Sequence, residues 1–256
     1  MNRNLRHLVL LLCFPVLFWA QETAKYSGEN AAFFNAEDLF TKAQYAAAKQ
    51  ECRLFINSCQ AQQRNEHDPY LIKAYYYEGM SALKLYANDA IPLLEQFNKT
   101  YPENNFRNEI AIGVGTYHFQ AEDYLAAQSA FAQINLTGLN SAQKEEVLFK
   151  LGYSAYQNED QDAAYLAFKD IKDGSTQYAK PALYYYAHIS YVRSSLQEAL
   201  EGFQALQKDS TFCSVVPYYI AQILYKQGKY QEVIDFAPTV LNCGFVNNEF
   251  DIQHII

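Results

Sequence analysis

The sequence predicts an all-α protein, and three observations carry the prediction: scarce turn formers, ample apolar content and a recurring helical hairpin. Gly and Pro number 10 and 7 in 256 residues, which disfavours a turn-rich β architecture. Half of the residues are apolar, so the chain can bury a sizeable core. Stretch 74–102 has the pattern of two amphipathic helices, in which small residues let the helix axes approach and Pro102 ends the second helix.

This hairpin pattern recurs six times along the chain. The second helix of each pair opens on a small residue, or on valine in the last, at intervals of 42, 37, 37, 35 and 34 residues: Ala48, Ala90, Ala127, Ala164, Ala199 and Val233. The first helices carry a matching small residue at Ala36, Gly79, Gly115, Gly152, Ala187 and Ala221. A period of this length is typical of stacked repeats. The longer first interval predicts a helix that runs on past Cys59, or a polar loop over 60–67.

Two of the units, GVGTYHFQAEDYLAAQSAF (113–131) and LGYSAYQNEDQDAAYLAF (151–168), resemble the tetratricopeptide repeat (TPR) family. The family's unit is a helix-turn-helix of about 34 residues. The resemblance covers residues 29–243 and implies a right-handed α-solenoid of about six hairpins. The tail FNKTYPENN (97–105) resembles the bacterial cell-envelope subgroup of this family, which includes outer-membrane assembly lipoproteins.

The first twenty residues have the layout of a secretory signal peptide. Arg3 and Arg6 precede an apolar run from Leu8 to Trp19, which is shorter than the about 20 residues that span a bilayer. We expect cleavage after Ala20 and an exported protein of the periplasm or the periplasmic face of the outer membrane. An uncleaved or lipid anchor and a cytosolic protein are the alternatives.

The remaining boundaries follow from composition and from the repeat pattern. Residues 21–28 are expected to form a linker, and 29–243 the repeat array. Residues 244–256 start a further first helix, as in a piece of a longer array, or form a short C-terminal cap.

Four cysteines follow the predicted signal peptide. Cys52 and Cys59 are seven residues apart on one expected helix, roughly 10 Å along its axis, which is beyond the reach of a disulfide. Cys213 and Cys243 flank a single hairpin whose ends return to the same side. They are a possible disulfide, and the alternative is two small buried residues.

The sequence offers no catalytic or metal-binding constellation. The histidines, including His118 and His188, lack a His or Cys three or four residues away, and no Gly-x-Ser-x-Gly motif is present. His118 is expected to be buried or half-buried, and the adjacent acids Glu145 and Glu146 to be solvated. The net charge of −8 disfavours nucleic-acid binding. We therefore expect no enzyme activity, no cofactor and no metal site.

Tyrosines on the first helices stand out among the 22 in the chain. The TPR resemblance places these helices on a concave face that receives a peptide or a partner helix. Projecting the register onto that face predicts these partner-binding residues: Tyr76, Tyr77, Phe119, Tyr153, Tyr156, Tyr185, Tyr186, Tyr191, Tyr219 and Tyr225. Tyr76, Tyr156, Tyr185 and Tyr225 fall where the family places packing residues, so a core role is their alternative. The family's Lys and Asn carboxylate clamp is absent, since Tyr77, Tyr186 and Tyr219 occupy the asparagine position.

These observations predict a non-catalytic protein-protein interaction scaffold of the bacterial cell envelope. It would bind a peptide or helix of another envelope protein in a concave groove rich in tyrosine. Membrane association is expected only through that partner or an anchor. The alternative is a glycan- or peptidoglycan-binding protein that uses the same aromatic groove.

Overall fold

In the computed structural model the described backbone comprises residues 28–241, with side chains through Pro238, and it is entirely helical. This part of the chain has no strand, which confirms the all-α class. A short 3₁₀ turn at Leu136–Gly138 precedes the seventh helix. The twelve α-helices are α1 (Ala31–Thr41), α2 (Tyr45–Ala61), α3 (Pro69–Lys84), α4 (Ala90–Thr100), α5 (Arg107–Gln120), α6 (Tyr124–Phe131), α7 (Ser141–Gln157), α8 (Gln161–Ile171), α9 (Ala179–Val192), α10 (Leu196–Leu206), α11 (Val216–Lys226) and α12 (Tyr230–Leu241).

Several expectations concern residues outside this range. The predicted signal peptide (1–20), most of the linker and the segment 244–256 lie outside the described residues, as does Cys243. From residue 28 to residue 241, no helix combines the length and the apolar character that crossing a bilayer demands.

The helices pair into six hairpins whose turns share one backbone conformation. Each turn has three residues, or five in the second hairpin, and contains one residue with a positive φ: Ala43, Tyr86, Glu122, Glu159, Ser194 and Gly228. In the fourth turn, the N–H of Glu159 donates to the carbonyl of Tyr156 at 3.1 Å and the N–H of Asp160 to that of Ala155 at 2.9 Å. This is the Schellman motif, which satisfies the last carbonyls of the first helix and reverses the chain.

The described chain divides into two compact units, residues 28–117 and 118–241. In the first unit each helix from α1 to α3 packs on the next, and α1 also packs on α3. Its core contains the buried side chains of Phe33, Phe55, Leu94 and Phe97.

The second unit is likewise built from successive packed helices, α6 through α12. Phe168 and Phe203 are fully buried in its core. Gly152 shows why the first helices need small residues: a Cβ there would lie 2.9 Å from Cε1 of Phe168, so only glycine allows this approach.

The long interval from Ala48 to Ala90 has two causes, because the helix runs on past Cys59 and a loop follows it. Helix α2 has 17 residues and ends at Ala61, and a loop over 62–68 leads into α3. Asp68 caps α3, because its Oδ1 accepts from the backbone N–H of Tyr70 and of Leu71.

The expectation that Glu145 is solvated is wrong. Its side chain is buried, and its carboxylate accepts hydrogen bonds from Thr176 Oγ1 at 2.5 Å and from the Thr176 N–H at 3.1 Å. These bonds hold the pKa of Glu145 below its usual value. Glu145 therefore fastens the loop before α9 to helix α7.

Candidate functional site

Partly exposed rings on the first helices of the second unit form one contiguous row, which we call the aromatic ladder. Its members are Phe119 on α5, Tyr153 and Tyr156 on α7, Tyr185, His188 and Tyr191 on α9, and Tyr219 on α11. Contacting rings on neighbouring first helices lie 5.0–5.8 Å apart between ring centroids.

The same contact between neighbouring first helices is repeated along the ladder. A ring two residues before the small residue of a first helix lies against two side chains of the preceding first helix. Tyr185 thus lies 5.5 Å from Tyr153 and 5.0 Å from Tyr156. Tyr219 takes the same position one hairpin later, 5.5 Å from His188 and 5.6 Å from Tyr191.

Buried phenylalanines of the second helices support two of the ladder rings, Tyr185 and Tyr219. Tyr185 stacks on Phe168 with centroids 5.3 Å apart, and Tyr219 stacks on Phe203 at 4.8 Å. Phe168 and Phe203 are themselves fully buried. One face of each of these two tyrosine rings is therefore held against the core.

The ladder begins at Phe119, near the end of α5. The Phe119 ring lies 5.6 Å from that of Tyr153, and Tyr124 of α6 approaches the same tyrosine at 5.7 Å. Position 150, where this step of the pattern would place a further ring, holds a lysine that pairs with Glu146 at 2.6 Å. Helix α7 therefore lacks the ring that Tyr185 and Tyr219 provide in α9 and α11.

His188 belongs to the ladder, although it is not among the residues predicted for the binding face. Its Nδ1 lies 3.2 Å from the hydroxyl of Tyr156, and burial lowers the pKa of its imidazole. The signal that could have found it is its register, since His188 follows Ala187 as Tyr153 follows Gly152. His118 is partly buried as expected, 3.2 Å from Asp123 Oδ2.

Most members of the ladder carry a hydroxyl or a ring nitrogen. Burial raises the pKa of Tyr185 to about 12 and raises the pKa values of Tyr156 and Tyr219. The hydroxyl of Tyr191 donates to Gln222 Oε1 at 2.6 Å, and Lys226 Nζ lies 4.2 Å from the centroid of the same ring. The row thus combines apolar ring surface with a few polar groups.

Tyr186 lies away from the ladder. It is buried, its ring stacks on Tyr165 of α8 at 4.9 Å, and its hydroxyl donates to Glu198 Oε2 of α10 at 3.3 Å. The projection equated Tyr186 with Tyr219, but Tyr185 has the contacts of Tyr219. Counted from the small residue, Tyr185 precedes Ala187 as Tyr219 precedes Ala221, so the projection in α9 is displaced by one residue, or about 100° around the helix.

The remaining predicted residues lie apart from the ladder. Tyr76 and Tyr77 are buried in the first unit, where Tyr76 stacks on Phe106 at 4.1 Å. The Tyr77 hydroxyl donates to Glu37 Oε1 at 3.2 Å. Tyr225 is 50% exposed beside Tyr230, so its alternative core role is wrong.

Within residues 28–241 no group of His, Cys, Asp or Glu is arranged to hold a metal ion. Cys52 and Cys59 are free and buried, in agreement with their spacing. Burial raises the pKa of the Cys52 thiol to about 12, so this thiol is unreactive at physiological pH. Cys213 is exposed, but its proposed partner Cys243 lies outside the described residues, and that disulfide stays a prediction.

Comparison of the chain with models of known protein families finds no match, and comparison with curated proteins finds none either. The resemblance to the TPR family therefore stays a prediction.

Proposed function

We propose that this protein is a non-catalytic interaction scaffold that binds a peptide or a helix of another protein along the aromatic ladder. The observation that carries the proposal is the ladder itself: contiguous, partly exposed rings from four successive first helices. A row of this kind presents a continuous apolar strip whose length suits an extended peptide or one helix face.

The chemistry of the ladder favours a protein partner. Tyrosine offers a large apolar face and a hydroxyl with few rotatable bonds, which is why it is enriched at binding hot spots. The supporting rings of Phe168 and Phe203 reduce the conformational freedom that Tyr185 and Tyr219 would lose on binding.

The finer parts of the proposal concern architecture and location. We propose a right-handed α-solenoid of the TPR type, with the first helices on its concave face. The regular small-residue positions and the shared turn conformation support this architecture. We further propose that the protein is exported to the periplasm or the periplasmic face of the outer membrane, and that its partner is an envelope protein. Residues 1–20 support export.

The test is capture from an envelope extract, run beside a glycan array that includes peptidoglycan fragments. The test variant is Tyr191→Ala, which removes a ladder ring. The matched control is Tyr225→Ala, because Tyr225 holds the same position in the next first helix but lies outside the ladder.

We expect a captured protein whose affinity falls by about tenfold or more in Tyr191→Ala and is unchanged in Tyr225→Ala. Equal loss in both variants, or capture that neither variant changes, contradicts the assignment of the ladder. Binding to glycans alone, lost in Tyr191→Ala, would replace the scaffold with the glycan-binding alternative.

A further inference from the structure

The first unit contains a cavity of about 690 Å³ that is separate from the aromatic ladder. It lies between the end of α2, the loop over 62–68, helix α3 and helix α4. The chain creates it at the one interval, from Ala48 to Ala90, that is longer than the others. Its volume is within the range of about 300–1,000 Å³ that small-molecule sites occupy.

Specific hydrogen bonds hold the loop that forms one wall. Arg64 Nε donates to Asp68 Oδ2 at 2.8 Å, and its Nη1 donates to Asn30 Oδ1 at 2.8 Å. On the opposite side, the Tyr101 hydroxyl donates to the backbone carbonyl of Glu66 at 3.2 Å. Because the loop is fastened to α1 and α4 by these bonds, the cavity is a preformed feature of the unit.

The lining combines an apolar floor with a rim of uncharged polar groups. Leu71, Phe97 and Tyr101 are buried and form the floor, and Tyr75 adds a partly exposed ring 6.2 Å from that of Tyr101. The rim consists of exposed side chains that carry amides or a hydroxyl: Gln60, Gln63, Gln96 and Thr100. Each amide can both donate and accept, as recognition of vicinal hydroxyls requires.

The charges of the lining argue against an anionic ligand. Among the described residues that line the cavity, Arg64 is the one cation, and its guanidinium is already engaged by Asp68 and Asn30. An anion would also be repelled by Glu66, which is among the residues that line the cavity. A wholly apolar ligand would separate the rim amides from water without replacing those hydrogen bonds.

We propose that this cavity binds a neutral, hydroxyl-rich small molecule of mono- or disaccharide size. The apolar face of its ring would lie on Tyr75 and the floor, and its hydroxyls would exchange hydrogen bonds with Gln60 and Gln96. The site is independent of the ladder and of its protein partner.

The test uses calorimetric titration of the full chain with glucose, galactose, N-acetylglucosamine, maltose and cellobiose, and with the anionic analogue galacturonate. We expect saturable binding of at least one neutral sugar and none of galacturonate. Gln96→Ala, an exposed rim change, should weaken that binding by about two- to tenfold. Gln133→Ala is the control, because Gln133 lies six residues after Ala127 as Gln96 lies six after Ala90.

A second variant, Leu93→Trp, places a large ring in the cavity and should abolish binding. If that variant does not fold, the comparison of Gln96→Ala with Gln133→Ala still decides the question. The absence of binding by every neutral sugar overturns the proposal. Binding that Tyr191→Ala removes and Gln96→Ala leaves unchanged overturns it too, since the sugar would then occupy the ladder.

Discussion

The two units differ at one position of the first helices, two residues before the small residue. In the first unit this position holds Phe34, Tyr77 and Gly113, and in the second unit Lys150, Tyr185 and Tyr219. Tyr77 is buried, whereas Tyr185 and Tyr219 are partly exposed in the ladder. The same position is therefore closed at Tyr77 and presents ring surface at Tyr185 and Tyr219.

Gly113 shows how the first unit closes this face. A Cβ at Gly113 would lie 2.9 Å from Cδ2 of Leu83 and 3.1 Å from Cε of Met80. Met80 and Leu83 hold the positions that His188 and Tyr191 hold in α9. At Gly113 aliphatic side chains therefore fill the space, whereas at Tyr185 and Tyr219 rings lie beside one another.

The largest effect is expected from Phe203→Ala, which removes the ring beneath Tyr219. The fully buried phenylalanine should leave a cavity and lower the free energy of unfolding by about 3–5 kcal/mol. Urea denaturation measures the change. Leu166→Ala is the control, because Leu166 is 64% exposed and its loss should change stability by less than about 0.5 kcal/mol. A change in Phe203→Ala no larger than that of the control would refute the support assigned to this ring.

Introducing a tyrosine at this position in each of the two units tests the comparison directly. Gly113→Tyr should lower the free energy of unfolding by about 1–3 kcal/mol, because Leu83 and Met80 already fill the space. Lys150→Tyr should be less destabilising than Gly113→Tyr, because the new ring replaces a long side chain that already occupies this position. Chemical denaturation of both variants gives the difference. Equal effects would show that the two faces are packed alike.

The sequence predicts the hairpins well because the contacts that define them are local. A small residue and the large residue opposite it, such as Gly152 and Phe168, belong to two helices joined by three residues. The turns are less visible, because left-handed Ala43 and Glu159 carry no sequence signal comparable to Gly228. Local periodicity thus identifies the helices but not the conformation that joins them.

The candidate sites depend more on tertiary structure. Six of the ten predicted residues meet in the ladder, but the run Tyr184-Tyr185-Tyr186 does not reveal which ring faces α7. A projection that is off by one residue selects Tyr186 instead, whose ring packs on the second helices α8 and α10. The sequence does not predict the cavity of the first unit, because its loop is held by a contact between Arg64 and Asn30, which are 34 residues apart in the chain.

A smaller effect tests whether the stacked ladder rings stabilise the second unit directly. A double-mutant cycle with Tyr185→Leu and Phe168→Leu should give a coupling energy of about 0.5–1.5 kcal/mol, because the rings stack at 5.3 Å. The control cycle pairs Tyr185→Leu with Leu166→Ala, which should be additive. Additive effects in the first cycle would mean that the two rings contribute independently.

Acid should weaken the second unit through His188, and this is the smallest expected effect. Its pKa in the folded protein is lowered by burial, so the unfolded chain takes up the proton first as the pH falls. The stabilisation is therefore complete above an unfolded pKa of about 6.5 and declines as the pH falls through the lower folded value. Urea denaturation at about pH 8 and about pH 5 should show a smaller loss in His188→Gln than in the wild type.

The two units again provide the control for this pH dependence. His67 is exposed in the first unit, so His67→Gln is the matched control for removing an imidazole. Carboxylates also titrate towards pH 5, but they are common to the wild type and both variants, so their effect cancels in the comparison. If His188→Gln and His67→Gln respond alike, the imidazole in the ladder is no more sensitive to protonation than a surface histidine. The ladder would then be accessible enough to water for His188 to carry a charge among its rings.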